Sequence, residues 1–295
     1  MTESVQHIVT HPGSAHKDDF LACCLLLAFH PVEILRRDPT QEDLDSVRVC
    51  VVDVGGEHDA ARRNFDHHQF DKEHPPVCAL SLVLQAKGLY EDALLFCDWL
   101  QTAEWLDARG PVVTAKHLGV EREVLARLNS PIDLTLIRRF SHLERLSPGE
   151  HLWEIMRWIG ADLVAYLTSL RDRVRFLKDH VEFWMVEGDA GEQFEALYLP
   201  RTEPLPADPS FGIERFLMEC GADERVLALV YPDRRGPGYG MSRHRDSRRL
   251  DFAPLENEAD VHFAHKQGFV LKTTATCPVR LRELLAKAHR PDRTA

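Results

Sequence analysis

Val47-Arg48-Val49-Cys50-Val51-Val52-Asp53-Val54-Gly55-Gly56 is the stretch that decides the fold. Its β-branched residues run on instead of alternating with polar ones, so it reads as a strand buried on both faces inside a parallel sheet. Two glycines close it. Upstream, residues 5–11 read as a shorter strand, Pro12-Gly13-Ser14 turns the chain, and Asp18-Asp19 opens an apolar helix to about His30. Downstream, helical patterns cover residues 77–88, 91–108 (ending at Gly110-Pro111), 114–128 and 132–146, and a long amphipathic helix runs from His151 to about Glu182. The pattern then changes. Residues 183–200, 226–231 and 261–272 read as strands, with helices near 211–219 and 278–289. The expected fold is therefore α/β in two lobes. Residues 1–180 form an N-terminal lobe with a mostly parallel sheet flanked by helices, and residues 181–295 a smaller mixed α/β lobe.

Composition narrows the classes. The chain has 295 residues, 44% hydrophobic and 28% charged, an ordinary globular balance. Its longest apolar run, Phe20 to Phe29, is ten residues, about half of a membrane span. The N-terminus has neither the basic flank nor the apolar core of a signal peptide, which places the protein in the cytoplasm with no membrane partner. Seven cysteines without a Cys-x-x-Cys spacing fit reduced thiols. A net charge of −11 disfavours a dedicated duplex-DNA binder. The basic residues are 28 Arg and only 8 Lys, so phosphate contacts are expected to be forked.

Eight of the sixteen histidines lie before residue 75, several beside Asp. Three segments concentrate them: Thr10-His11-Pro12-Gly13-Ser14-Ala15-His16-Lys17-Asp18-Asp19, Val52-Asp53-Val54-Gly55-Gly56, and Asn64-Phe65-Asp66-His67-His68-Gln69. Taken singly, each has a bland explanation: a hydrogen-bonded histidine, a turn aspartate, a helix cap. Together they gather His and Asp donors at strand ends, where open α/β sheets bind ligands. That donor set suits Mn²⁺, with Mg²⁺, Co²⁺ or Zn²⁺ as alternatives, and the number of donors exceeds what one ion needs. Two divalent ions are the expected cofactors.

With these residues in view, the chain resembles the DHH phosphoesterase superfamily, and more narrowly the melanocyte-proliferating-gene family of metal-dependent hydrolases, described as exonucleases. The matching motifs are Thr10 to Asp18, Asp53 to Gly56, Asp66-His67-His68 and His265-Lys266-Gln267-Gly268-Phe269, in family order. The resemblance implies His11, His16, Asp18, Asp53 and His67 as metal ligands, with Asp53 bridging two ions and His68 facing the substrate phosphate. It asks for one further Asp on a helix, matched by Asp107, with Asp98 in reserve. His16 stands where the wider superfamily more often has Asp. Lys266-Gln267 replaces the family's Ala-Ser, and Val270-Leu271 its following glycines.

In the second lobe, residues 234–249 carry six arginines, three glycines and Tyr239. They read as a flexible basic loop in which Arg243 and Arg245 grip a phosphodiester and Tyr239 stacks on a base. His265 and Lys266 are expected on a strand, with the Gly268 N–H open to a phosphate. The expected activity is metal-dependent hydrolysis of a phosphodiester in short or single-stranded RNA or DNA, from an end. The alternatives are a small-molecule phosphoesterase or pyrophosphatase using the same centre, and a non-catalytic metal-stabilised nucleic-acid-binding module.

Overall fold

A computed structural model of the protein describes residues 3–127, 130–189 and 191–290. The end of the helical stretch expected at 114–128 and one residue of the strand expected at 183–200 lie outside them. Two units divide at Ser169/Leu170, inside the long helix, where the sequence reading put the boundary near residue 180.

In the first unit, β1 (His7–Thr10), α1 (Lys17–Phe29), β2 (Glu33–Arg36), α2 (Gln41–Asp45) and β3 (Val49–Val52) alternate. The short strands β4 (His58–Asp59) and β5 (Asn64–Phe65) follow. Next come α3 (Ala79–Ala86), α4 (Tyr90–Phe96), α5 (Leu100–Leu118), α6 (Arg122–Arg127), α7 (Pro131–Ser141), β6 (Arg145–Leu146) and α8 (His151–His180). The sheet order is β4-β5-β3-β1-β2-β6. The β5–β3, β3–β1 and β1–β2 pairs are parallel, and both edge pairs are antiparallel. All four residues of β3 are buried, as its apolar run requires. Helix α1 is nearly as apolar all round, with Phe20 and Ala22 through Leu27 in the core. At Gly160 of α8 an added Cβ would lie 1.8 Å from the Cys24 carbonyl oxygen, so only glycine permits that backbone approach.

Short edges escaped the periodicity reading. Strands β2, β4, β5 and β6 were not expected, and the helix expected over 132–146 stops at Ser141 before β6. The Gly110-Pro111 break is real. Gly110 takes φ 75, ψ 167 and splits α5 into two helical segments.

The second unit holds β7 (Glu182–Glu187), β8 (Gln193–Tyr198), α9 (Ile213–Glu219), β9 (Val226–Pro232), β10 (Tyr239–Arg243), β11 (Val261–Ala264), β12 (Val270–Thr273) and α10 (Pro278–Ala288). Its sheet order is β11-β12-β10-β9-β8-β7, with only β8–β9 parallel. Leu281, Leu284, Leu285 and Ala288 of α10 share a core with Trp184, Phe194, Tyr198 and Tyr239.

Three readings are corrected here. The strand expected over 183–200 is the β7–β8 hairpin. Residues 234–249 are not one flexible loop, because β10 lies in their midst: Tyr239 is 4% exposed and its hydroxyl meets that of Tyr198 at 2.9 Å. It is a core residue and offers no ring to a base. The strand expected over 261–272 is the β11–β12 hairpin, and His265 and Lys266 sit in its turn. Among the described residues, no helix is long and apolar enough to cross a membrane.

Candidate metal centre

β1, β3 and β5 are adjacent and parallel, so their carboxyl ends come to one edge of the sheet. His11 follows β1, Asp53 follows β3, and Asp66-His67-His68 follows β5. Helix α1 begins beside them with Asp18 and Asp19 in its first turn, both buried. Asp107 comes from α5.

Asp53 is the hub. Its backbone is left-handed, φ 58, a conformation that Asp tolerates better than most residues but that still stores strain. One carboxylate oxygen, Oδ1, lies 3.1 Å from His67 Nε2 and 3.7 Å from His68 Nδ1. The other, Oδ2, lies 3.5 Å from His11 Nε2. Three donor sets, each with ligand atoms within 4.8 Å of one another, meet in this residue: His11, His16 and Asp53; Asp53, His67 and His68; Asp18, Asp53, His67 and Asp107. His67 Nε2 also approaches Asp107 Oδ2 at 2.8 Å, and His16 Nδ1 lies 3.8 Å from Asp107 Oδ1. Every ligand expected from the motifs, Asp107 included, is therefore in this cluster. The reserve candidate Asp98 is exposed between α4 and α5, outside the three sets.

Hydrogen bonding aims the rings. His11 Nδ1 donates to the Pro12 carbonyl at 3.0 Å, which leaves Nε2 turned toward Asp53 and Asp19. Asp66 is no ligand. It accepts from the N–H groups of Gly56 (2.6 Å) and His68 (3.1 Å) and from His68 Nδ1 (2.7 Å), fixing the ring and freeing Nε2. Burial works to raise the Asp66 pKa, but the His68 ring and the two backbone donors outweigh it and hold the carboxylate ionised.

The electrostatics ask for a cation. Both oxygens of Asp18, Asp53 Oδ1, Asp107 Oδ2, His11 Nε2 and His67 Nε2 are buried without a hydrogen-bond partner among the described residues. Unpaired buried carboxylates are strongly unfavourable, by several kcal/mol each on general grounds, roughly. Burial first, then Asp53 and Asp107, push the Asp18 carboxyl well above the ordinary range. Burial likewise raises Asp53, against the opposing pull of His67. Burial would depress His67, yet Asp107 and Asp53 hold it up to about 10. Burial would raise Asp107, but His67 outweighs it and lowers that carboxyl. Without a metal the cluster stores protons. Oxygen and imidazole donors facing one small volume, with both oxygens of Asp18 lacking any hydrogen-bond partner among the described residues, fit divalent ions.

The sequence reading passed over several supports. Asp19 accepts from the His16 N–H at 2.7 Å, closing the start of α1, and its other oxygen faces His11 at 3.4 Å. Asp19 raises the His11 pKa above the ordinary imidazole value. Arg36, buried on β2, lies 3.8 Å from Asp19 and donates to the carbonyls of Gly13 and Phe140. Glu104, one turn before Asp107, accepts from Ser81 (2.6 Å) and Tyr90 (2.8 Å) and so ties α5 to α3 and α4. A 140 Å³ pocket beside the centre is lined by His67, His68, Phe70, His74, Asp107 and Arg109, among others. The Arg109 guanidinium is held by the carbonyls of Lys72 and His74.

The second-unit candidates lie on β10 and in two turns. Arg243 pairs with Asp246 at 2.6 Å and Arg245 with Asp223 at 2.9 Å. The His265 ring packs on Phe269, with centroids 3.8 Å apart, and Lys266 is exposed. Gly268 has φ +73 and an added Cβ would meet Asp251 at 2.0 Å. Its N–H already donates to the His265 carbonyl at 2.7 Å, so the expected phosphate contact there would require that turn to open.

Fold and site define an α/β protein with a cluster of His and Asp donors, centred on Asp53 at the carboxyl ends of parallel strands, that could hold metal ions. Residues 7–81, the segment that carries most of this cluster, match the MYG1_exonuc family model, described as Uncharacterised protein family (UPF0160). Over 66 residues the chain is 50% identical to the human MYG1 exonuclease, covering 21% of this chain and 17% of that protein. It is 41% identical over 63 residues to the MYG1 protein of Chlamydia muridarum, covering 20% and 21%. The aligned segment thus spans about a fifth of these relatives or less. A pGpG-specific phosphodiesterase from Vibrio overlays 96% of this chain and 98% of its own, at 14% identity and a TM-score of 0.30, an overlap too slight to argue from.

Proposed function

We propose that the protein is a metal-dependent phosphodiester hydrolase, acting as an exonuclease on short or single-stranded RNA or DNA with two divalent ions, Mn²⁺ foremost. The observation that carries this reading is the sharing of Asp53 among three donor sets, one of its oxygens facing each side. On this reading His11, His16, Asp18, His67 and Asp107 complete the centre around Asp53. Bound ions would supply Lewis acidity and offset charge at a phosphorus undergoing in-line displacement. His68, its Nδ1–H held by Asp66 and its ring 64% exposed on the side chain, presents Nε2 to the substrate phosphate or its leaving oxygen. Arg109 adds a positive charge to the same pocket. Arg243, Arg245, His265, Lys266 and Gly268 are assigned to substrate binding on the motif resemblance and on their charge. The cysteines, all free thiols with five of seven buried, support placing the protein in the cytoplasm.

The test pairs elemental analysis of the purified protein with hydrolysis of a 5-mer RNA, pyrophosphate and a cyclic dinucleotide across Mn²⁺, Mg²⁺, Co²⁺ and Zn²⁺. Cleavage of the 5-mer from one end supports the exonuclease. Preference for pyrophosphate or the cyclic dinucleotide transfers the centre to a small-molecule phosphoesterase. Retained metal and RNA affinity with no turnover by any ion would reduce the protein to a binding module.

A further inference from the structure

The second unit contains a cavity of about 500 Å³ that the metal centre does not use. It is large enough for a small organic ligand, whose sites run from roughly 300 to 1,000 Å³. Its floor is the hairpin joining β9 to β10. Arg201 lies beneath and straps that hairpin, donating to the carbonyls of Asp233 (2.9 Å), Gly236 (2.6 Å) and Gly238 (3.1 Å). Gly238 cannot be replaced without collision, since a Cβ there would fall 1.9 Å from the Thr273 oxygen. The loop is therefore held in one shape before any ligand arrives.

Two cations, Lys272 and Arg235, border this floor. Buried Asp233 holds Lys272 Nζ at 3.1 Å and lies 3.6 Å from His262 Nε2, positioning both at the cavity wall. Arg235, also lining it, is exposed and has no carboxylate partner among the described residues. With Asp233 offset by Lys272, Arg235 supplies an uncompensated positive charge. Phe263 lines the same cavity and is 44% exposed, an aromatic face left open, with Pro237 also on the wall. Cations beside an open ring select a ligand that is anionic at one end and flat at the other.

We propose that this cavity binds a nucleoside monophosphate group, its phosphate held by Arg235 and Lys272 and its base lying against Phe263. The choice of a nucleotide among anionic ring compounds rests on the phosphoesterase reading above. The group can come from the end of a nucleic-acid strand or from a free nucleotide.

Adenosine monophosphate contains no phosphodiester, so its binding to the full-length wild-type protein is measurable by calorimetry without turnover. Inorganic phosphate and adenosine serve as half-ligands. Arg235→Ala is expected to weaken the monophosphate and phosphate alike, by about tenfold or more. Phe263→Ala should weaken the monophosphate by roughly fivefold or more and leave phosphate unchanged. Asp53→Asn, in the metal centre, should leave this binding in place. Displacement of the monophosphate by a 5-mer RNA assigns the site to a strand end, and lack of displacement assigns it to free nucleotide; either supports the site. No saturable binding at millimolar ligand, or binding that both cavity substitutions leave unchanged, overturns it. RNA hydrolysis without such binding would remove the cavity proposal alone. Binding that both substitutions weaken, without hydrolysis of any diester, would remove the phosphoesterase reading and leave the cavity standing.

Discussion

Asp53→Asn is the sharpest perturbation of the centre, because the structure gives each carboxylate oxygen a separate task. Oδ1 faces His67 and His68, and Oδ2 faces His11. An amide keeps the shape, and Asn tolerates the left-handed φ of 58 as well as Asp does. Alanine would add backbone strain and confuse the result. The amide retains one acceptor oxygen, and its NH₂ cannot ligate a cation. The donors on one side of Asp53 therefore keep a shared ligand and those on the other side lose it. On the proposed two-ion reading, two dications would contribute +4, and Asp18, Asp53 and Asp107 contribute −3 when ionised. Removing one charge widens the imbalance at the point where the ions repel each other most. We expect the variant to fold, to lose at least one metal per chain, and to fall in turnover by roughly 100-fold or more, about 2.7 kcal/mol of transition-state stabilisation. Metal-free, it should melt no lower than wild type, since the substitution removes a buried like charge beside Asp18 and Asp107. The checks are elemental analysis, steady-state rates with whichever diester the hydrolysis screen identifies, and thermal melts with and without chelator. Wild-type metal content with activity within a few-fold would refute the shared-ligand assignment, and a metal-free melt well below wild type would make Asp53 a structural turn residue.

Further predictions follow from the same geometry. Because burial and mutual repulsion raise Asp18 and Asp53 above the ordinary carboxylate range, Mn²⁺ added to chelator-stripped protein should release protons and bind more weakly as pH falls; calorimetry in buffers of different ionisation enthalpy reads both. Asp43, held well below its ordinary pKa first by Arg37 and then by the Thr40 donors, should contribute stability that is full above the unfolded-state value of about 3.9 and is lost as pH falls through the lower folded value. Asp43→Asn should therefore lower the melting temperature at neutral pH, with the difference shrinking under increasingly acidic conditions. Gly160→Ala drives a methyl into the Cys24 carbonyl and should cost about 1–3 kcal/mol in chemical denaturation. Glu104→Ala leaves the buried hydroxyl of Ser81 and that of Tyr90 without their acceptor, a loss of about 1–3 kcal/mol, and Glu104→Gln, which keeps an acceptor oxygen, should recover most of it.

Whatever was carried by a run of one residue class was legible in the sequence. The all-apolar Val49–Val52 can be buried only on both faces, and that alone places Asp53 at a carboxyl end. The unexpected strands β2, β4, β5 and β6 are four residues or fewer, too short for a period of two to register. Tyr239 misled for a different reason. Arginine and glycine around it signal a loop, but its own partners, Tyr198 and the Arg201 N–H, come from 41 and 38 residues away. Neighbours in sequence described its surroundings wrongly because the sheet replaced them.

The adjacent aspartates of α1 show where pattern ends and geometry begins. Both are buried, and nothing in the dipeptide says which faces the metal centre. Successive residues on a helix point about 100° apart, so the two cannot perform one task. Asp19 turns back to the His16 N–H, approaches His11 and meets the buried Arg36, which balances its charge. Asp18 turns the other way, toward Asp53, His67 and Asp107, with both oxygens buried and without hydrogen-bond partners. Asp19 has a backbone N–H on one oxygen and the Arg36 guanidinium 3.8 Å from the other, although that second oxygen, like both of Asp18, has no hydrogen-bond partner among the described residues; Asp18 has neither support. The same division runs through the Asp66-His67-His68 triplet, where Asp66 is satisfied by Gly56 and His68 while His67 Nε2 faces only the clustered carboxylates of Asp53 and Asp107. A cap or a turn would have satisfied all of these groups. The donors left over converge on Asp53, and that convergence favours a metal centre over a set of unrelated structural residues.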